Sequence, residues 1–206
     1  LKTKLRNIID KLYTTKTSLG GEKFDSSVVD MFSKEFELTI IDVTKLEDKY
    51  LHRIEPSSLK TPTENKLVLQ PNNTQQAPDV YVAYNLSSIC IELKTSKNNK
   101  PMYNSGCVEP STLYLYNNIK TKTFTYAFGS SLIADEILEL QKEFKIKIDE
   151  VSKEINKKIK ELENLHPDDC RYKWKFLARP VHSHDVLYDK HRDVWKQEAD
   201  TKIDLL

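Results

Sequence analysis

Pro78-Asp79-Val80-Tyr81-Val82-Ala83-Tyr84-Asn85-Leu86-Ser87-Ser88-Ile89-Cys90-Ile91-Glu92-Leu93-Lys94 contains two apolar runs with a short polar break between them. Val80 to Tyr84 and Ser88 to Leu93 are rich in β-branched and aromatic side chains. Asn85-Leu86-Ser87 is short enough for a tight connection, so the stretch predicts two adjacent strands. Asp79 stands at the start of the first strand and Glu92 near the end of the second, so hairpin pairing brings both carboxylates to one end of a sheet. Side chains alternate along a strand, which puts Glu92 and Lys94 on one face. Leu93 then turns its side chain into the core and offers its carbonyl oxygen.

Hydrolysis of a phosphodiester needs a water made nucleophilic and a place for the extra negative charge of the transition state. A divalent cation held by carboxylates supplies both. Asp79, Glu92 and Lys94 are therefore the expected catalytic residues, with Asp79, Glu92 and the Leu93 carbonyl as oxygen ligands of the kind Mg2+ prefers. A Glu-x-Lys triplet alone is weak evidence, because Glu47/Lys49, Glu64/Lys66 and Glu143/Lys145 also show it. Glu143/Lys145 falls in a helical pattern, Glu47/Lys49 in a charged stretch, and Glu64/Lys66 has no Pro-Asp before it. Only Ile89-Cys90-Ile91-Glu92-Leu93-Lys94 puts a carboxylate and an ammonium into an apolar strand, where burying charge is costly unless function or pairing compensates.

Working outward, Val28, Val29, Met31, Phe32 and Phe36 predict a helix over Asp25 to Leu38, after the Gly20-Gly21 break. Ser57 to Ala77 is rich in Pro, Thr, Asn and Gln and reads as loop, one strand at Leu67-Val68-Leu69, and loop. Leu113 to Tyr116 and Phe124 to Phe128 supply two more short strands. A helix is expected to begin near Ser130. Ile137, Leu140, Phe144, Ile148, Val151, Ile155, Ile159 and Leu162 repeat every three or four residues, which predicts one long amphipathic helix ended by Pro167. Its stripe suits packing on the sheet or a seam between two copies. A last short helix is expected around Arg192 to Ala199. The expected class is α/β (α+β), with a central mixed sheet flanked by helices and the long helix in the C-terminal half.

The 206 residues fit a single domain, with a catalytic core over about 25–130 and a C-terminal helical and contact region over about 131–206. Charged residues at 31% and hydrophobic residues at 38% exclude a disordered or membrane-embedded chain. Leu1 to Asp10 is charged and amphipathic, without the apolar centre of a secretory signal, so a cytoplasmic location is expected. Cys90, Cys107 and Cys170 include no close pair, which argues against a disulfide framework or a CxxC zinc module. A net charge of +1 means that a nucleic-acid partner would need basic residues gathered on one surface.

Pro78-Asp79, a strand and turn, then Glu92-Leu93-Lys94 resembles the PD-(D/E)xK nucleases. The longer stretch from Gln75-Gln76-Ala77-Pro78-Asp79 through Lys100-Pro101-Met102-Tyr103-Asn104-Ser105-Gly106 is similar to type II restriction endonucleases in particular. The likeness runs over about residues 70–130. It implies a restriction-endonuclease-like core and Mg2+-dependent, sequence-specific cleavage of double-stranded DNA to 5′-phosphate ends, with Mn2+ as a substitute ion. In this reading Asp79 and Glu92 bind one or two ions, and Lys94 orients or helps deprotonate the attacking water and stabilises the phosphorane charge. The resemblance further implies an auxiliary acid from the first helix, with Asp30 and Glu35 as candidates and Asp25 behind them.

Sequence-specific cutting requires phosphate contacts for positioning and base contacts for choice. Lys97, Lys100, Tyr103, Asn104 and Ser105 lie in a polar loop directly beyond the catalytic strand. Arg171, Lys173, Lys175 and Arg179 alternate with Tyr172, Trp174 and Phe176, which suits a basic face toward DNA as well as an amphipathic edge strand. His182 and His184 form an H-x-H pair without a second ligand pair at zinc spacing. A homodimer is expected because a two-fold protein matches a palindromic site. A cognate DNA methyltransferase is the expected functional partner. Competing readings are a repair or recombination nuclease on the same core, and a catalytically silent DNA-binding module.

Overall fold

The Val80–Leu93 stretch folds as a β-hairpin at the centre of a six-stranded sheet. The computed structural model describes residues 1–15, 20–48, 52–56, 59–72, 77–97, 108–167 and 192–206. β3 (Val80–Tyr84) and β4 (Ser87–Ser96) pair antiparallel, from Tyr84 opposite Ser87 to Val80 opposite Ile91. Asn85 and Leu86 form the connection with φ of 50° and 66°. Positive φ at both central residues is what a two-residue hairpin turn needs to match the twist of its strands. Asn accepts that conformation readily, whereas Leu does so at a cost.

β1 (Ile40–Asp42), β2 (Lys66–Leu69), β5 (Leu113–Asn118) and β6 (Thr123–Phe128) complete the sheet in the order β1-β2-β3-β4-β5-β6. The β1/β2 and β4/β5 pairs are parallel and the others antiparallel. The sheet is therefore mixed and flanked by helices. β4 runs on to Ser96 because β5 pairs with it as far as Asn118 opposite Ser96, while β3 has already begun at Val80. The last turns of β4 thus extend past the end of one neighbour while still held by the other.

Alternation sorts the strand residues onto two faces. Val80, Val82, Ile89, Ile91, Leu93, Leu113, Leu115 and Tyr126 enter the main core. There they meet α1 (Lys2–Thr15), through Leu5, Ile8, Ile9 and Leu12, and α2 (Glu22–Phe36), through Phe24, Val28, Val29, Phe32 and Phe36. Both sets recur at three- and four-residue spacing, the pattern of an apolar helix face. The opposite face carries Val68, Tyr81, Ala83 and Cys90 in one cluster, and Tyr114, Tyr116 and Ala127 in another. Ala199 and Ile203 of α5 (Arg192–Ile203) join the main core, while its Trp195 joins the Tyr114/Tyr116 cluster. Arg6 ties α1 to α5 through Asp204 at 2.8 Å and Asp200 at 3.4 Å, and the Tyr126 hydroxyl donates to Asp200 at 2.8 Å.

Several expected bounds shift. The helix over Asp25 to Leu38 begins at Glu22 and ends at Phe36, and the last helix continues to Ile203. The amphipathic start of the chain forms α1, and a short strand, β1, follows α2. Near Ser130 the chain makes only one turn, α3 (Gly129–Leu132), before α4 (Asp135–Leu165). Packing of the α4 stripe on the sheet is not what the structure gives. Leu138 and Gln141 are buried, yet Phe144, Val151 and Leu162 are 53%, 50% and 56% exposed. No helix among the described residues is long and apolar enough to cross a membrane.

Candidate active site

Asp79 lies one residue before β3, and continuing the register beyond Val80/Ile91 puts it opposite Glu92. The two acids are cross-tied through the backbone. The Asp79 N–H donates to Glu92 Oε2 at 3.1 Å, and the Leu93 N–H donates to Asp79 Oδ2 at 2.8 Å. In an extended residue the N–H and C=O project toward the same neighbour, so the Leu93 carbonyl faces the Asp79 side, past the end of the β3 ladder. Lys94 Nζ donates to Glu92 Oε1 at 2.5 Å, with the two side chains 15% and 4% exposed. The structure thus brings Asp79, Glu92 and Lys94 together at the end of β3, where β4 continues alone on that side.

A residue without a signal in the sequence holds Asp79 from the other flank. Gln70, just after β2 and with φ of 53°, donates its backbone N–H to the Asp79 carbonyl and its Nε2 to Asp79 Oδ1, both at 2.8 Å. Each Asp79 carboxylate oxygen therefore already accepts one hydrogen bond from the protein. Those bonds fix the rotamer and leave further lone pairs on both oxygens.

Burial, chiefly, and the negative charge of Asp79 push the Glu92 carboxyl up to about 7, against the opposing pull of Lys94. Asp25, in the first turn of α2, is pushed up to about 6 by burial and then by Asp79, with Lys94 again opposing. Asp25 is thus the acid of α2 that is coupled to Asp79 and Lys94. Glu35 instead accepts from Lys11 Nζ at 2.6 Å and Asn7 Nδ2 at 2.8 Å, on the α1 side, and Asp30 is exposed. Neither is brought to Asp79. The signal that separates them is position along the helix: Asp25 sits four residues before the core residue Val29 at the N-terminal end, whereas Glu35 is at the C-terminal end.

Other motif candidates fall elsewhere. Lys66 pairs with Glu64 at 3.2 Å on the surface, and Glu143 and Lys145 are exposed on α4. Lys97 is exposed directly beyond β4. Lys49, Lys100, Tyr103, Asn104, Ser105, Arg171, Lys173, Lys175, Arg179, His182 and His184 lie outside the described residues. Cys90, buried in β4, has its thiol pushed up by burial first and by Glu109 and Glu92 next, which favours the neutral thiol.

The donor set fits a hard divalent cation. Two carboxylates are held side by side with a third acid nearby, against a single ammonium, and a doubly charged ion with oxygen ligands relieves that repulsion. Among the described residues there is no group of three or more His, Cys, Asp or Glu that could hold a metal ion; Asp79 and Glu92 form a pair, and Asp25, at the margin, is coupled to Asp79 by charge. Compared with models of protein families, with curated proteins and with solved structures, the chain matches none of them.

Proposed function

We propose that the chain is a Mg2+-dependent type II restriction endonuclease that hydrolyses double-stranded DNA and leaves 5′-phosphate ends. The observation that carries this reading is the reciprocal tie between Asp79 and Glu92, with Lys94 fixed on Glu92 where β4 runs past the end of β3. Asp79, Glu92 and the Leu93 carbonyl would hold the ion. When bound, it would supply Lewis acidity to a phosphoryl oxygen and lower the pKa of a coordinated water.

The remaining work falls to the protein. Gln70 and the Leu93 N–H hold the Asp79 carboxylate in one orientation, so its free lone pairs are aimed before substrate arrives. Lys94 commits one donor to Glu92 Oε1, and its other N–H groups are available to orient an attacking water and bind a non-bridging phosphate oxygen. Lys97, exposed directly beyond β4, would offer a phosphate contact to DNA bound at the site. In this reading the enzyme is cytoplasmic, works as a homodimer on a palindromic site, and is accompanied by a DNA methyltransferase that protects the host site.

The test is to incubate purified protein with phage DNA in Mg2+ and in EDTA. Discrete bands in Mg2+ alone support the proposal. Progressive shortening from ends points to an exonuclease on the same core, and a gel shift without cleavage to a silent DNA-binding module. Asp79→Ala should abolish cleavage while leaving DNA binding intact, and full activity in that variant refutes the assignment.

A further inference from the structure

Gln70 touches Asp79 twice and leaves one atom of its own unused. Leu69 pairs with Val80 at the end of the β2/β3 ladder, and Gln70 carries the pairing one residue further by donating its N–H to the Asp79 carbonyl at 2.8 Å. Its Nε2 donates to Asp79 Oδ1, also at 2.8 Å. The other end of the same amide, Oε1, is enclosed and has no hydrogen-bond partner among the described residues. A buried carbonyl oxygen without a donor costs free energy, and a native fold keeps one where a role compensates. The backbone adds an independent sign, because Gln70 has φ of 53°, a conformation glutamine adopts at a cost. Of the other described non-glycine residues with positive φ, Glu37 ends α2, and Asn85, Leu86 and Lys122 lie in strand connections. Gln70 stands instead beside a candidate ligand, and residues held in such conformations gather at ligand sites.

The place taken by Nε2 suits an oxygen ligand. Adjacent oxygens around an octahedral Mg2+ with bonds of about 2.1 Å lie about 3 Å apart. The Gln70 nitrogen stands 2.8 Å from Asp79 Oδ1, close to that spacing. With no cation between them, an amide oxygen and a carboxylate oxygen repel at this distance, so the nitrogen faces Asp79 and the oxygen is left on the unpaired side. A half-turn about the terminal torsion exchanges the two ends and moves no other heavy atom. That torsion is broad and nearly two-fold in glutamine, so both orientations are within reach. The coordination also has room for the oxygen. Asp79, Glu92 and the Leu93 carbonyl would not fill the octahedral shell of Mg2+, and an uncharged amide adds a ligand without adding to the repulsion between the acids.

We infer that Gln70 is a further ligand of the ion: its side-chain amide turns over when a divalent cation binds Asp79, and Oε1 joins the Asp79 carboxylate in holding that cation. The amide is then an element with two positions. One donates to Asp79 and keeps the carboxylate oriented, and the other coordinates. The inference rests on reading Asp79 and Glu92 as an ion site, and it does not depend on DNA being the substrate.

Two measurements on the full chain test it. A Mg2+ titration of thermal stability compares wild type with Gln70→Met, which keeps the length of the side chain and removes the amide. The variant should bind Mg2+ about 10-fold more weakly or worse. Crystals of the wild-type protein grown with Mn2+ should show, by anomalous scattering, an ion in bonding contact with both Asp79 and the Gln70 side-chain oxygen, which a residue that only orients Asp79 would not give. Equal Mg2+ affinity in Gln70→Met, or a Mn2+ ion on Asp79 with the Gln70 nitrogen still donating to the carboxylate, would overturn the inference and leave the nuclease reading standing. Ion binding through Gln70 in a protein that cuts no DNA would support the inference and count against the nuclease. A wild-type chain that binds neither Mg2+ nor Mn2+ would overturn both.

Discussion

Removing the charge of Glu92 should stabilise the metal-free protein at alkaline pH. In the unfolded chain this carboxyl ionises near 4.5, whereas in the fold burial and Asp79 hold it at about 7. Below pH 4.5 both states carry the proton and the group has no effect. Between those values the unfolded chain releases its proton first, so folding stability falls as pH rises and levels off above about 7. The gap corresponds to a loss on the order of 3 kcal/mol. Glu92→Gln cannot ionise, so it should escape that loss; its single oxygen accepts from either the Asp79 N–H or Lys94 but not both, a cost that does not change with pH across this range. Chemical denaturation in EDTA at half-unit steps from pH 4.5 to 8.5 measures it. Asp25 also titrates upward, at about 6, so the informative quantity is the difference between wild type and variant. That difference should grow across the interval in favour of the variant. A difference that stays flat from pH 5 to 8 would refute the claim that Glu92 is buried beside a second negative charge.

Three further outcomes follow from the geometry. Asp25→Asn, which removes the acid at the margin of the site, should weaken Mg2+ binding within the roughly 10–100-fold range of outer-shell partners, read by a Mg2+ titration of thermal stability. Leu86→Gly removes an exposed side chain from a positive-φ turn position and should stabilise the fold by about 1 kcal/mol in urea denaturation. Gly129→Ala should destabilise by about 3 kcal/mol or more in the same assay, because its Cβ would lie 2.1 Å from the Glu109 carbonyl oxygen.

The centre of the sheet was legible because period-two alternation and a short polar break are local signals. Val80 to Tyr84 and Ser88 to Leu93 carried both, but the register was off by one: the expected break Asn85-Leu86-Ser87 would set Asp79 opposite Leu93, whereas the two-residue turn pairs Tyr84 with Ser87 and brings Asp79 opposite Glu92. β1 was not legible, since three residues are too few to show a period, and its pairing with β2 is set by contacts distant in sequence. Gln70 was invisible for a related reason: its tie to Asp79 depends on β2 ending beside β3. Which acid of α2 comes near Asp79 depended on which end of the helix lies over the site, and helical periodicity gives a face but not a position along the sheet. The stripe on α4 was read correctly as a stripe, yet amphipathicity states only that a surface seeks cover, not what provides it.

The mutual bonds between Asp79 and the Glu92-Leu93 segment bear on how the hairpin chooses its alignment. A slip of one residue along β4 would turn Ile91 and Leu93 out of the core and also separate each acid from the amide that receives it. The misaligned hairpin would then bury a carboxylate with no donor. The two cross-ties are made only in the native register, so Asp79→Ala should broaden the set of hairpin alignments the chain samples as it folds.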